Sequence, residues 1–480
     1  MTQPSRGGSA EDLASALAGA LGTDAGAITG LRRLSGGASR ETWAFDAGGR
    51  PLILQRARPG GPGTAGMATE AALLRAAAAE GVPVPGVVAT GAARSEVIDG
   101  AGRSGPAGAG LGAAWMVVDR VPGETIARKI LRDDEFSAAR PLLAAQCGEA
   151  LARIHRIPLD AVPGISGGDQ LAQLRATLDA TGEPHPAFEL GFRWLDRHRP
   201  AAVGGRDTLV HGDFRNGNLV VGPDGLRAVL DWELAHRGDP LEDLGWLCVR
   251  AWRFGAEPRA GGFGSVDELV GAYEATAGEV LDRAALHWWE VLGTLKWGVI
   301  CVVQAATHLT GVVRSVELAA IGRRVCEVEH DLLLLLPGRD AAAAVSSVDT
   351  PTPPETAPLP RLHDAPTAAQ LVEAVREFLE GDVMASAEGR VRFHARVAGR
   401  VLSQVERELA AGDAPARAHA TRLAALGCAT DADLAAAIRS GALDARTAEV
   451  TAVVRAAVAA KLAVANPTYA DPAGPENPRR

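Results

Sequence analysis

The sequence predicts an α+β protein: a small antiparallel sheet with one helix, then a mainly helical lobe, then a separate small all-α C-terminal domain. Three observations carry this. Short β-type runs separated by glycine-rich turns occupy the first part of the chain. Helical periodicity dominates from about Glu135 onward, as in Leu142, Leu143, Cys147, Leu151 and Ile154. A Pro/Ala-rich break follows Leu336-Pro337-Gly338.

Residues 1–27 read as a flexible start with one amphipathic helix, Glu11 to Leu21. Trp43-Ala44-Phe45 and the run from Pro51 to Arg56 are strands joined by the turn signal Ala47-Gly48-Gly49. An Ala/Leu-rich helix from about Ala68 to Glu80 is stopped by Gly81-Val82-Pro83-Val84-Pro85, because proline lacks a donor and restricts its predecessor. Val87 to Ala89 resumes as strand, Gly91 to Gly112 is a long hairpin loop, and Trp115 to Val118 is the strand on its far side. Residues 338–364 form a semi-rigid linker containing Thr350-Pro351-Thr352-Pro353-Pro354. Thr367 is an N-cap for a helical unit over 365–466, in which Leu371, Val375, Phe378 and Leu379 share one face and Val391 to Leu409 forms another helix. The Pro-rich stretch 467–480 is expected to be disordered.

A chain of 480 residues exceeds one typical core and points to two or three domains. Net charge −9 and a pI near 5.7 argue against a general nucleic-acid binder, whose phosphate contacts need a basic surface. Five cysteines without a CxxC pair indicate neither a disulfide framework nor zinc, and read as buried thiols of a reducing cytoplasm. No signal pattern opens the chain, and the apolar stretch from Trp297 to Leu309 is too short and too polar, with Gln304 and His308, to span a membrane.

The most informative stretch is His211-Gly212-Asp213-Phe214-Arg215-Asn216-Gly217-Asn218, followed by Asp231 in Val229-Leu230-Asp231-Trp232-Glu233. Phosphoryl transfer from Mg-ATP has a loose transition state, so it needs a base that orients the acceptor and hard oxygen ligands for the metal. Asp213 is the candidate base, and Asn218 and Asp231 are the candidate Mg²⁺ ligands. Leu219-Val220-Val221 and Leu226 to Leu230, around Gly222-Pro223-Asp224-Gly225, form a hairpin that returns Asp231 to the loop. His211 braces the loop backbone. Phe214 and Arg215 follow the base directly, and Arg215 meets an anionic acceptor or pairs with Asp243. Trp246, Trp252, Trp288, Trp289 and Trp297 are expected in the core, with an apolar acceptor pocket as the alternative.

These motifs, HGDFRNGNL and VLDWELAHRGDPLEDLGWL, resemble those of the aminoglycoside phosphotransferase and choline kinase-like superfamily, in particular the branch related to the phosphotransferase part of some acyl-CoA dehydrogenases. The resemblance implies a bilobal protein-kinase-like fold over residues 28–337, with a five-stranded N-lobe, a helical C-lobe and ATP in the cleft. It implies that Ser35, Gly36, Gly37, Ala38 and Ser39 form the glycine-containing turn over the phosphates. The family's basic residue on the third strand, paired with an acid in the next helix, falls on Arg56 with Glu70. Arg58 is the fallback, and Gln55 departs from the family pattern. Backbone groups of Asp119 and Val121 correspond to the hinge that meets adenine, and Asp239 and Asp243 to residues that buttress the loop or start a helix. Glu233 lies near the metal or acts as a cap. The C-terminal unit resembles a helical domain of unknown function found beside such phosphotransferases. His394 and Arg396 near Glu406 and Glu408 receive no catalytic role.

The expectation is an ATP- and Mg²⁺-dependent O-phosphotransferase of a small-molecule hydroxyl, anionic or acyl-CoA-linked, located in the cytoplasm. The helical appendage is a candidate dock for an acyl-CoA dehydrogenase or other acyl-CoA enzyme. A nucleotide-binding module without turnover and an aminoglycoside phosphotransferase are the alternatives; the mixture of Glu242, Asp243 and Glu257 with Arg250, Arg253 and Arg259 disfavours a polycationic acceptor.

Overall fold

A computed structural model describes residues 10–34, 40–57, 66–92, 111, 114–201, 207–337 and 366–470. It divides into two compact units, Met1–Gly168 with Ala202–Leu286, and Asp169–Ala201 with His287–Arg480.

The first unit opens with helix α1 (Ala10–Leu21) and strands β1 (Ile28–Arg33), β2 (Arg40–Ala47) and β3 (Arg50–Ala57). Helix α2 (Gly66–Ala79) leads to β4 (Val87–Ala92) and β5 (Ala114–Asp119). The five strands pair antiparallel in the order β1-β2-β3-β5-β4. Gly48 and Gly49 turn β2 into β3 at φ 58° and 84°, left-handed values that glycine adopts without strain.

Alternation along the strands separates the two faces of this sheet. Phe45, Leu52, Leu54, Trp115 and Val117 share a core with Leu13 and Leu17 of α1. The N-terminal helix therefore completes the sheet's hydrophobic core. Helix α2 packs along β4 and β5, and buries Met67, Leu73, Leu74 and the acidic Glu70.

Beyond β5 come α3 (Ala127–Arg132) and α4 (Arg140–Ile154). The chain then contributes α5 (Gln170–Thr181) and α6 (Pro186–Arg197) to the second unit. It returns as β6 (Thr208–Val210), the hairpin β7 (Leu219–Gly222) and β8 (Gly225–Val229), β9 (His236–Gly238), α7 (Leu241–Cys248) and α8 (Val266–Ala277). Helices α4 and α8 approach closely because Gly148 has no side chain: a Cβ there would lie 2.2 Å from the carbonyl oxygen of Leu269.

Helix α9 (Arg283–Leu309) continues into the second unit, followed by α10 (Val316–Gly322) and α11 (Val325–Leu335). After the linker come α12 (Ala368–Phe378), a short α13 (Met384–Ser386), α14 (Gly389–Ala411), α15 (Ala414–Ala425), α16 (Asp431–Ser440) and α17 (Thr447–Ala465). Thr367 caps α12 through a reciprocal pair with Gln370, as its position suggested. The C-terminal helices share one core with α6 and α11: Leu423, Leu434, Val450, Val454 and Leu462 pack with Ala187, Cys326 and Leu333. Buried Glu329 of α11 accepts from Lys461 of α17 at 3.0 Å, and His185 lies 3.2 Å away. The apolar face of α12 stays open, with Leu371, Val375 and Phe378 exposed. Among the described residues, no helix is long and apolar enough to cross a membrane.

The linker 338–364 lies outside the described residues, as does most of the expected tail.

Candidate active site

The site grows from the end of β6. Val210 is fully buried, and His211 continues inward with no exposed surface. Its Nε2 donates to the carbonyl of Leu230 at 3.1 Å while its Nδ1 accepts the Asp213 N–H at 3.2 Å, a pattern met by the neutral ring. Burial lowers its pKa, in keeping with that state. His211 thus braces the loop as its sequence position suggested.

Asp243, from α7, holds the same turn from below. Its two carboxylate oxygens accept the N–H groups of His211 at 2.8 Å and Gly212 at 2.9 Å. Tyr273 of α8 lies 3.0 Å from His155 Nδ1, and His155 Nε2 lies 3.1 Å from Asp243. Burial opposes ionisation of Asp243, yet the hydrogen bond and charge of His155 and the His211 amide hold its pKa below the usual carboxylate value. Gly212 sits at φ 80°, and a Cβ there would come within 2.4 Å of the Leu234 carbonyl oxygen. The turn therefore requires glycine.

Asp213 is surrounded by donors. Trp246 Nε1 donates to Oδ1 at 2.8 Å, Asn218 Nδ2 to Oδ2 at 2.7 Å, and Arg215 Nε to both oxygens at 3.0 and 3.2 Å. Arg215 pairs with Asp213, not with Asp243. Its guanidinium also lies 4.6 Å above the ring of Trp252.

The Leu230 N–H donates to the carbonyl of Asn218 at 2.8 Å, which places Asp231 next to Asn218. Asp231 adopts φ 65°, ψ 65°, an uncommon conformation for a non-glycine residue. One side of the residue opens to solvent. Partial burial and the charges of Glu233, Asp213 and Glu70 nevertheless push its pKa up to about 6, against the attraction of Arg40. Asn218 commits its Nδ2 to Asp213, which leaves Oδ1 as the atom a cation would use. One carboxylate and one amide suit Mg²⁺, which keeps water and phosphate oxygens in its shell; among the described residues, no group of three or more His, Cys, Asp and Glu forms a ready cage.

The expected pairing of Arg56 with Glu70 is corrected. Glu70 is paired with Arg40 of β2, whose other nitrogen donates to Glu233 at 3.1 Å. Arg56 instead binds Glu41 across the strand pair, with Nε donating at 2.7 Å. The reason is the pleat: Leu52, Leu54 and Arg56 alternate onto the face that α1 covers, whereas Arg40 lies on the face of α2. Burial raises the pKa of Glu70, and Arg40 opposes that rise.

Of the hinge residues, Asp119 donates its N–H to the Gly86 carbonyl at 2.9 Å, so only its carbonyl can serve a ligand; Val121 lies two residues on, just past β5. Ser35, Gly36, Gly37, Ala38 and Ser39, and the fallback Arg58, lie outside the described residues. Trp246, Trp252, Trp288 and Trp289 are buried, as expected of core residues. Asp239 accepts the Leu241 N–H at 2.9 Å and starts α7. In the helical domain, Glu406 is paired with Arg376 and Glu408 with Arg323, so no site forms with His394.

Sequence reasoning missed Arg40, Trp246, His155 and Tyr273. Strand alternation could have found Arg40; the other three depend on how α4, α7 and α8 pack.

A model of the phosphotransferase enzyme family matches residues 30–287. The chain belongs to this family. Residues 385–469 match a domain of unknown function. The mouse acyl-CoA dehydrogenase family member 10 is 30% identical over 267 residues, 52% of this chain and 23% of that protein. Human family member 11 is 28% identical over 181 residues, 34% of this chain and 23% of its own length. The chain thus spans about a quarter of the relatives it matches. A crystal structure of a candidate aminoglycoside phosphotransferase from Ralstonia eutropha superposes with a TM-score of 0.53 at 20% identity, covering 68% of this chain and 98% of that one. This likeness shows the kinase-like fold of the phosphotransferase. It is the fold the sequence motifs implied.

Proposed function

We propose that the protein is an ATP- and Mg²⁺-dependent O-phosphotransferase that phosphorylates a hydroxyl group of a small anionic or acyl-CoA-linked metabolite. The observation that carries this reading is the meeting of Asp213, Asn218 and Asp231 on one loop and hairpin, beside the Arg40–Glu70–Glu233 cluster. Asp213 accepts the hydrogen of the acceptor hydroxyl, orients its oxygen towards the phosphorus and takes the proton as the new bond forms. Asn218 and Asp231 hold Mg²⁺. The bound metal neutralises charge on the phosphates. Arg40, held between Glu70 and Glu233, supplies the basic group that Gln55 does not. The Asp119 carbonyl and the Val121 N–H serve the adenine.

Trp246 fixes Asp213 from the C-terminal side, and the chain from Tyr273 through His155 to Asp243 fixes the loop. Arg215 beside the base gives the acceptor side positive charge, which favours an anionic acceptor over a polycation. The relatives' names, acyl-CoA dehydrogenase family members, support an acyl-CoA-linked acceptor and an acyl-CoA enzyme as partner. Five free buried thiols suit a reducing cytoplasm.

The test is untargeted mass spectrometry of a metabolite and acyl-CoA extract incubated with the protein and Mg-ATP. A compound that gains one phosphoryl group supports the reading and identifies the acceptor. If no compound does so while Mg-ATP binds in the same preparation, transfer to a metabolite is wrong.

A further inference from the structure

Resting on the phosphotransfer reading, we propose that Arg215 is an acceptor-operated latch: it keeps Asp213 engaged until an anionic group of the acceptor draws the guanidinium away.

A carboxylate offers about four lone-pair sites. Those of Asp213 are engaged by Trp246 Nε1 on Oδ1, Asn218 Nδ2 on Oδ2, and Arg215 Nε shared between both oxygens. The acceptor hydroxyl needs one of these positions, so at least one of these contacts must give way. Trp246 is 3% exposed and Asn218 6%, and Asn218 is additionally tied to the Asp213 carbonyl. The Arg215 side chain is 25% exposed, and its contact to Asp213 is the long, divided one. It is the donor that can move.

The neighbouring structure makes room for the latched position. Gly217 lies at φ 119°, and a Cβ there would stand 2.8 Å from Arg215 Nη1, so the guanidinium occupies space that only glycine leaves. The ring of Trp252, 4.6 Å below the guanidinium, supports it from the other side. A cation leaving a carboxylate needs a replacement anion, because in a partly dry site the lost attraction is not made up by water alone. A phosphate or a carboxylate on the acceptor supplies it; a neutral alcohol does not. The latch also limits wasteful transfer to water, since a water molecule carries no charge with which to displace Arg215.

The experiment measures ADP release by the full chain in Mg-ATP without acceptor, together with ATP affinity by calorimetry, for the wild type, Arg215→Gln, Asp213→Asn and the double variant. Arg215→Gln should release ADP about tenfold faster at unchanged ATP affinity, within the hundredfold or more that a positioned base contributes. The double variant should lose the gain. Loss of structure alone does not produce a gain, so this readout separates a latch from a packing role. In the wild type, sn-glycerol 3-phosphate or glycerate should stimulate ADP release and glycerol should not; which of the two acts names the anion. Arg215→Gln at or below the wild-type rate, or equal stimulation by glycerol, overturns the latch. If Asp213→Asn leaves intact the ADP release stimulated by the anionic acceptor while ATP binds, the phosphotransfer reading itself fails.

Discussion

Arg40 of β2 and Glu70 of α2 form an ion pair on the face of the sheet opposite α1, and the same guanidinium reaches Glu233 two residues beyond Asp231. One side chain thereby ties the sheet, its helix and the segment proposed to hold the metal. Replacing Arg40 with Ala is expected to weaken Mg-ATP binding by at least about tenfold, the scale of one lost charge-assisted hydrogen bond. Arg56→Ala, which removes only the partner of Glu41 on the α1 face, should leave affinity within about twofold. Calorimetric titration of both variants with Mg-ATP decides between them.

Asp231, the proposed metal ligand, carries its charge at the expense of the ligand-free fold. Its pKa is raised to about 6, so the folded state binds this proton more tightly than the unfolded chain does. Stability is accordingly lost as pH rises from the ordinary carboxylate value through 6, and regained on acidification. Asp231→Asn should therefore stabilise the metal-free protein at pH near 7.5, by about 1 kcal/mol once solvent screening at the open side is allowed for. The gain should fade towards pH 4. Urea unfolding across that range, without Mg²⁺, measures it; a destabilised variant at neutral pH would contradict this account of the acidic cluster. Mg²⁺ affinity of the wild type should fall below pH 6, as the carboxyl takes up its proton.

The buttress behind the loop offers a stability test. Asp243→Ala leaves the buried N–H groups of His211 and Gly212 without their acceptor and strands His155. A loss of about 3–5 kcal/mol is expected, the range for breaking a buried charged network. Gly148→Ala should cost about 1–3 kcal/mol by forcing α4 from α8. It should also lower turnover, because Tyr273 on α8 orients His155 at the C-terminal end of α4. Thermal unfolding and initial rates on the two variants check both effects.

How much of this was legible in the sequence follows from what each feature depends on. The loop and hairpin from His211 to Asp231 are local, and their glycines and alternation could be read directly. So could β2 and β3, because Gly48-Gly49 marks their turn. Arg56 was misassigned because a basic residue on the third strand was matched by position, when Leu52 and Leu54 already place it on the core face of α1. The hydrogen bond from Trp246 to Asp213 had no such signal, since it arises from the packing of α7 under the loop. Nor did the sequence reveal that α15 to α17 complete a core with α6, more than two hundred residues earlier in the chain, and with α11.

That shared core predicts the outcome of truncation. A chain ending at Pro337 should expose Ala187, Cys326 and Leu333 and strand Glu329 without Lys461. It should be insoluble or should unfold at a clearly lower temperature than the full chain. A truncated protein with the full thermal stability would show that the helical domain is dispensable to the fold.

The central claim is that Asp213 is the base of phosphoryl transfer. It is tested most directly by measuring, on wild type and Asp213→Asn side by side, ATP affinity and the rate at which the identified acceptor gains a phosphoryl group. A rate lowered by about a hundredfold or more with ATP affinity nearly unchanged is expected, because Asp213 orients the acceptor and not the nucleotide. Undiminished transfer by Asp213→Asn would contradict it.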